Sequence, residues 1–188
     1  MKKNNRFTLI ELLVVIAVIS ILMAILLPAI AAVRRNAKEA RARADVHAIA
    51  LAIKAFDAEY NQYPTIGSGS SGVVTFSDAP GGQSIDTLIR VLACADPGLP
   101  GQLWTDAADS GNKRVIRFLE LPQKYYTDRG LNDPWGNRYI VKINYGATAA
   151  ELITITDFPG STSVEVPSSV AVYSKGVPDA DRGIGSWQ

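Results

Sequence analysis

The sequence predicts an α+β fold, with one long N-terminal helix packed on a small antiparallel β-sheet. Two patterns support this prediction. Apolar residues recur every three or four positions as far as Tyr60, as on one face of an α-helix. From residue 139 onward, short runs rich in β-branched and aromatic residues alternate with turn residues, as in β-strands. A helix followed by such strands indicates an α+β domain.

The first part of the predicted helix is apolar enough to cross a membrane. Between residues 7 and 27 the only charged side chain is Glu11. About twenty-one helical residues span about 30 Å, the thickness of a bilayer's hydrocarbon core. We therefore expect a membrane-spanning helix at 7–27, its amphipathic continuation at 28–62 and a globular head at 63–188.

Glu11 lies about one helical turn inside this apolar segment, and two interpretations are open. A carboxylate at that depth can reach the membrane interface at moderate cost, so it can be a tolerated residue. Alternatively, it meets a positive partner when the helix packs against other helices.

A secretory signal peptide is the main alternative for the apolar segment. Lys2, Lys3 and Arg6 precede it, and Ala29-Ile30-Ala31 resembles a small-residue cleavage site. The apolar run is much longer than the usual 7–15 residues of a signal peptide, which favours a retained helix.

The charges flanking the segment give a conflicting signal for its orientation. Three basic residues precede it, and five follow it closely, namely Arg34, Arg35, Lys38, Arg41 and Arg43. A count of positive charges would therefore place the C-terminal part of the chain in the cytoplasm.

The composition argues against several functional classes. The net charge is +1, and no basic run is interleaved with aromatic residues, so we expect no nucleic-acid partner. The chain has one histidine, His47, which we expect to be a solvated helix residue. Its one cysteine, Cys94, is expected to be a small buried residue. This inventory provides no metal-binding or nucleophile–base pattern typical of an enzyme, so we predict no catalysis.

The second part of the helix carries the apolar stripe, formed by Val46, Ile49, Ile53, Phe56 and Tyr60. We expect the stripe to pack against the head's own sheet and the helix to end near Tyr60, because Asn61 and the pre-proline Tyr63 disfavour continuation. Pro28 removes one backbone donor and is expected to bend the helix locally.

The remaining elements are predicted more coarsely. They are an amphipathic helix around Ile85–Leu92 capped by Ser84, a loop over 96–113 anchored by Trp104, and strands at 139–143, 152–156 and 170–173. A type I turn, Asp133-Pro134-Trp135-Gly136-Asn137, is expected before the first of these strands.

The run Phe7-Thr8-Leu9-Ile10-Glu11-Leu12-Leu13-Val14-Val15-Ile16, followed by Pro28, closely resembles the N-terminus of type IV pilins and type II secretion pseudopilins. In that family a prepilin peptidase removes a short basic leader before a phenylalanine, which is then N-methylated. The resemblance implies a leader at 1–6, cleavage between Arg6 and Phe7, and methylation of Phe7. Where the family has glycine before the cleaved bond, this chain has Arg6.

The resemblance also implies a pilin-like assembly. Glu11 would face the new N-terminal amine of a neighbouring subunit, and Pro28 would let tilted helices pack around a filament axis. The implied partners are further copies of the chain, other pilin-like subunits, the prepilin peptidase and the inner-membrane platform of a secretion system. The implied location is the bacterial inner membrane, with a single span, a short cytoplasmic N-terminus and a periplasmic head, contrary to the charge count.

The head resembles the major pseudopilins of type II secretion in patches. These patches are Tyr60-Asn61-Gln62-Tyr63-Pro64-Thr65, Leu121-Pro122 and the turn at 133–137. The resemblance implies a subunit of a short periplasmic pseudopilus that drives protein secretion, or of a related pilus. The alternative is a membrane-anchored or secreted binding protein that uses a pilin-like helix only for targeting.

One loop near the C-terminus is a candidate calcium site. Asp179 and Asp181 lie two residues apart in a glycine-containing stretch, and calcium prefers such oxygen ligands. A solvated turn neutralised by Arg182 is the simpler interpretation. The position is similar to the calcium loop of the major pseudopilins, although this loop is shorter and has no third acidic residue before Trp187.

Calcium binding can be tested on the full chain by calorimetric titration and thermal melting. If Asp179 and Asp181 are ligands, calcium at about a hundred times its Kd stabilises the fold by ~2.7 kcal/mol. The double variant Asp179→Asn/Asp181→Asn should lose both the heat of binding and the shift in Tm. Absence of both signals in the unmodified chain contradicts the calcium prediction.

Overall fold

A computed structural model describes residues 8–66, 72–78, 83–96, 99–103, 111–121, 131–146, 152–176 and 182–188. The chain divides into two units, Met1–Lys38 and Glu39–Gln188. Together the described residues form an α+β structure with a long N-terminal helix and a small antiparallel sheet, which confirms the predicted fold class.

Helix α1 comprises Leu9–Tyr60 and continues through Pro28 without interruption. Its predicted end near Tyr60 is confirmed. Asn61 adopts a left-handed conformation with a φ of 51°, and its N–H donates to the carbonyl of Asp57 at 2.7 Å. Asparagine tolerates this conformation better than most residues, which explains why the helix stops here.

The predicted apolar stripe of α1 is confirmed within the second unit. Val46, Ile49, Ile53 and Phe56 are fully buried, and the partly buried Tyr60 packs against them. They belong to the same apolar cluster as one face of the sheet and the second helix. His47 is exposed, as expected.

Eight strands lie within the described ranges. They are β1 Val73–Phe76, β2 Ala95–Asp96, β3 Leu99–Leu103, β4 Ile140–Asn144, β5 Ile153–Ile155, β6 Val164–Val166, β7 Val170–Ser174 and β8 Ile184–Gly185. The main sheet has the order β1-β4-β7-β8, with every neighbouring pair antiparallel. The pairs β2–β3 and β5–β6 form separate two-stranded ladders.

The central strands β4 and β7 are covered on both faces. Val141 and Val172, which are paired across the two strands, join the cluster that contains α1. Their neighbours Ile140 and Tyr173, also paired, join a second cluster with β5 and β6. Side chains alternate between the faces of a strand, so burial of both faces explains the nearly continuous apolar sequence of these two strands.

The second helix, α2, comprises Ile85–Ala93, close to its predicted position. Ser84 occupies the N-cap position, but its side chain makes no capping hydrogen bond, so that part of the prediction is wrong. Cys94 follows the helix in a left-handed conformation and is fully buried, as expected.

Two further predictions need correction. The stretch 96–113 is not simply a loop, because β3 pairs with β2. The run at 152–156 forms a strand, but it pairs with β6 outside the main sheet. Trp104, the expected anchor of the loop, lies outside the described residues.

Candidate functional site

The N-terminus of α1 is closed by reciprocal hydrogen bonds between Thr8 and Glu11. The N–H and the hydroxyl of Thr8 both donate to Oε2 of Glu11, at 2.8 and 2.7 Å. The N–H of Glu11 in turn faces the Thr8 hydroxyl oxygen at 3.4 Å. This arrangement is a capping box, in which two side chains satisfy backbone donors that the first helical turn leaves unpaired.

The capping box gives Glu11 a local role that the sequence interpretation missed. The signal was present, since threonine followed three residues later by glutamate, just before an apolar run, is typical of a helix start. A carboxylate at this position also interacts favourably with the helix dipole. The two bonds from Thr8 occupy about half of the acceptor positions of a carboxylate, so Glu11 can still accept from a further donor.

The first unit presents an apolar helix surface to its surroundings. Seventeen large apolar side chains between Leu9 and Val33 are 46–82% exposed. Among the described residues, α1 is the helix that is long and apolar enough to cross a membrane, with a mean hydropathy of 3.1 in its most apolar window. The hydroxyl of Ser20 donates to the carbonyl of Ile16 at 2.7 Å, so this polar group is satisfied without water.

Of the predicted processing and assembly residues, Glu11 and Pro28 lie in α1, whereas Arg6 and Phe7 lie outside the described residues. Pro28 is exposed on the helix surface. The bend expected at Pro28 stays a prediction.

A second polar site is built on the predicted turn at 133–137. The N–H of Gly136 donates to the carbonyl of Asp133 at 3.0 Å, which confirms the turn. Oδ1 of Asp133 accepts from the N–H of Trp135 at 3.0 Å and from that of Asn137 at 2.7 Å. The aspartate thus fixes the turn with its own side chain, as expected for this residue at the first position.

Asp133 also connects the turn to the end of β7. Its side chain is almost fully buried, and its Oδ2 accepts from the hydroxyl of Ser174 at 2.6 Å and from Nδ2 of Asn137 at 3.3 Å. The amide of Asn137 also donates to the carbonyl of Gly176 at 3.0 Å. With four donors around it, the Asp133 carboxylate is satisfied without a cation.

The chain segments on either side of residues 177–181 are close together. Gly176 has a φ of 71°, and a Cβ atom there would lie 2.3 Å from the carbonyl oxygen of Arg182. Only glycine fits both the backbone conformation and the contact. Ser174 and Asn137 both form hydrogen bonds with the backbone of Gly176, and the carbonyl of Arg182 lies against the same glycine.

The calcium prediction cannot be placed on this geometry, because Asp179 and Asp181 lie outside the described residues. Within the described ranges, no group of three or more His, Cys, Asp or Glu side chains could hold a metal ion.

A third polar contact lies at the same end of β7. The hydroxyl of Tyr173 donates to Asp157, and the Lys175 ammonium lies 3.4 Å from the other oxygen of that carboxylate. Burial alone would raise the pKa of Asp157, but the Tyr173 hydroxyl and the Lys175 ammonium together lower that pKa below its ordinary value. Burial and the bond to Asp157 raise the pKa of Tyr173, so its hydroxyl stays a donor at neutral pH.

Comparison with known families gives one match. Residues 1–27 match the family described as the prokaryotic N-terminal methylation motif. No curated protein and no solved structure matches the chain. The match supports a type IV pilin-like chain, and together with the apolar helix it fits an inner-membrane-anchored protein.

The role of Asp133 can be tested with the variant Asp133→Asn, which keeps the size of the side chain but turns one acceptor into a donor. We expect it to lower the free energy of unfolding by about 3 kcal/mol, because buried donors lose a charged partner. Asp78→Asn is the matched control. Asp78 is exposed and pairs with Arg138 at 2.8 Å, so its loss should cost less than about 1 kcal/mol.

Chemical denaturation of the full chain in detergent micelles measures both variants. Equal free energies of unfolding for Asp133→Asn and the unmodified chain would contradict the role assigned to Asp133.

Proposed function

We propose that the chain is a structural subunit of a pilin-like filament, assembled from the bacterial inner membrane by lateral packing of the apolar part of α1. The main support is that the methylation motif at 1–27 coincides with the start of a helix whose large apolar side chains are exposed. Such a surface needs either lipid or other helices to cover it.

Lipid can cover this surface while the subunit is in the membrane, and neighbouring helices can cover it in a filament. In the membrane, acyl chains surround the segment. In a filament, the same segments of other copies would replace the lipid, and van der Waals packing between helices would replace the contacts with acyl chains. The subunit acts by packing, and the proposed role needs no catalytic residue.

Processing before Phe7 would give each copy a new α-amine one residue before Thr8, whose N–H donates to the Glu11 carboxylate. In a low-dielectric helix bundle, an α-amino cation from a neighbouring copy would be attracted strongly to this carboxylate. The proposal assigns Glu11 two roles, in the helix cap and as the acceptor for a neighbour's amine.

The finer assignment is a subunit of a type II secretion pseudopilus. It is supported by the resemblance of the turn at 133–137 and of the segments at 60–65 and 121–122 to the major pseudopilins. Asp133 and Asn137 of this turn form hydrogen bonds with Ser174 and Gly176 at and just after the end of β7, which indicates that the turn has a structural role in the head. The corresponding partners are other pilin-like subunits, a prepilin peptidase that accepts Arg6, and the inner-membrane platform of the secretion system. The head would then lie in the periplasm.

One observation favours the alternative of a membrane-anchored binding protein. The second unit has a half-open surface depression of about 480 Å³ whose lining includes Leu51, Lys54, Val166 and Trp187. This volume lies within the range of small-molecule sites. An anchored binder would bind its ligand there as a monomer, whereas a filament subunit depends on contacts along α1.

The two roles of Glu11 are separated by the variants Glu11→Gln and Thr8→Ala. Glutamine can replace glutamate in a capping box but has no charge. If the carboxylate meets an amine, Glu11→Gln should reduce self-cross-linking through cysteines placed in the apolar segment on the order of a hundredfold. Thr8→Ala removes the cap at a cost of about 1 kcal/mol but keeps the charge, so most of the cross-linking should remain.

The experiment is done in membranes of the native host, with circular dichroism of the purified chains as a check on the folded head. The opposite result, normal assembly of Glu11→Gln with failure of Thr8→Ala, would mean that Glu11 acts only through the helix cap. Normal assembly of both variants would overturn the role of Glu11 as the acceptor for a neighbour's amine.

A further inference from the structure

Three basic residues stand directly at the end of the apolar segment of the first unit. From Leu12 to Val33 the sequence has no charged residue, and Arg34 and Arg35 follow at once. At about 1.5 Å per residue, this uncharged run is about 33 Å long, close to the thickness of the hydrocarbon core. If Glu11 lies at one edge of that core, Arg34 lies at the other edge.

The helix surface changes there from apolar to basic without a break. Val33 is 66% exposed, and Arg34, Arg35 and Lys38 are all exposed. Arg34 and Lys38 are four residues apart, so they lie on the same side of the helix. Arg35 is already engaged by an interaction within the chain.

The position of these cations matches the lipid headgroups. The headgroup layer is about 5–7 Å thick on each side of the core, and one helical turn past Arg34 adds about 6 Å. The long side chains of arginine and lysine can bend back toward the interface. Arg34 and Lys38 can therefore both reach the phosphates of one leaflet.

We propose that Arg34 and Lys38, with Arg35 beside them, bind the phosphates of anionic phospholipids in the leaflet where α1 leaves the membrane. The proposal rests on the membrane-spanning part of the proposed function. It also gives a role to a basic cluster that, by the count of positive charges alone, would place the head in the cytoplasm and not in the periplasm.

Anionic lipid fits these cations better than a second copy of the chain does. Between Thr8 and Lys38 the one acidic residue is Glu11, at the opposite end of the span. Parallel copies at the same depth would therefore place their basic clusters side by side, which is repulsive. The next acidic residue, Glu39, is already engaged within the chain. Anionic phosphates between neighbouring copies would reduce this repulsion.

The test uses the full chain at one copy per lipid nanodisc, made of phosphatidylcholine with a minor fraction of phosphatidylglycerol. Electron paramagnetic resonance with spin-labelled lipids then compares the association of the two headgroups with the protein. We expect a preference for phosphatidylglycerol of about fivefold per engaged cation at low ionic strength, falling as salt is added.

The variant Arg34→Gln/Lys38→Gln should reduce the preference by about fivefold for each of the two cations removed, leaving only the contribution of Arg35. Arg43→Gln is the matched control, because Arg43 is also an exposed cation but follows Arg34 by nine residues in the sequence. That variant should keep the preference of the unmodified chain.

The outcomes separate this inference from the proposed function. A chain that fails to enter the discs would overturn the membrane span and both proposals with it. A chain that enters the discs but associates equally with the two lipids would overturn only the lipid site. Loss of the preference in Arg43→Gln as well would show a general effect of charge and would also overturn the site. If the unmodified chain associates equally with the two lipids and Arg34→Gln/Lys38→Gln loses cross-linked filaments, the cations contact a neighbouring subunit instead.

Discussion

The exposed apolar surface of α1 between Leu9 and Val33 is the constraint on which the interpretation depends. Burying one large apolar side chain contributes roughly 1.5–3 kcal/mol, so leaving seventeen of them in water would cost on the order of tens of kcal/mol. This exceeds the net stability of a typical domain, which is about 5–15 kcal/mol. The first unit therefore needs a bilayer or other helices around it, and its polar groups are arranged accordingly. Ser20 bonds to the helix backbone, Glu11 closes the helix start, and the next charge after Glu11 is Arg34.

In the second unit, by contrast, the apolar face of the helix and the sheet bury one another. The stripe of α1 and the inner face of β4 and β7 form one cluster, while the β5–β6 ladder covers the other face. Asp133 then links the turn before β4 to Ser174 at the end of β7. This link is possible because the register pairs Ile140, at the start of β4, with Tyr173. The sheet thus fixes the geometry around the turn that resembles the major pseudopilins.

Features with a strong local pattern could be predicted from the sequence. These were the length of α1, its stripe, helix α2, the turn at Asp133, and strands β4 and β7. The short strands β1, β2, β3, β6 and β8 were missed, because two to five residues give too weak a period and their pairing is decided by distant parts of the chain. The bond between Asp133 and Ser174 joins residues 41 apart, so no local pattern contains it. The capping box of Thr8 and Glu11 was predictable from the spacing of threonine and glutamate, but the sequence interpretation placed Glu11 only at the membrane interface or against another helix. The roles of Arg6 and Phe7, and of Asp179 and Asp181, stay predictions.

The central claim is that the chain becomes a filament subunit through processing at Phe7. Intact-mass and N-terminal peptide mass spectrometry, on protein extracted from its native membrane, tests this most directly. A chain that begins at N-methylated Phe7 is the predicted result, and it would show that Arg6 before the cleaved bond is accepted. A chain that begins after Ala31 would contradict the claim, because the apolar segment would then be a cleaved secretory signal. An intact Met1 would also contradict it, because Glu11 would have no processed amine to meet.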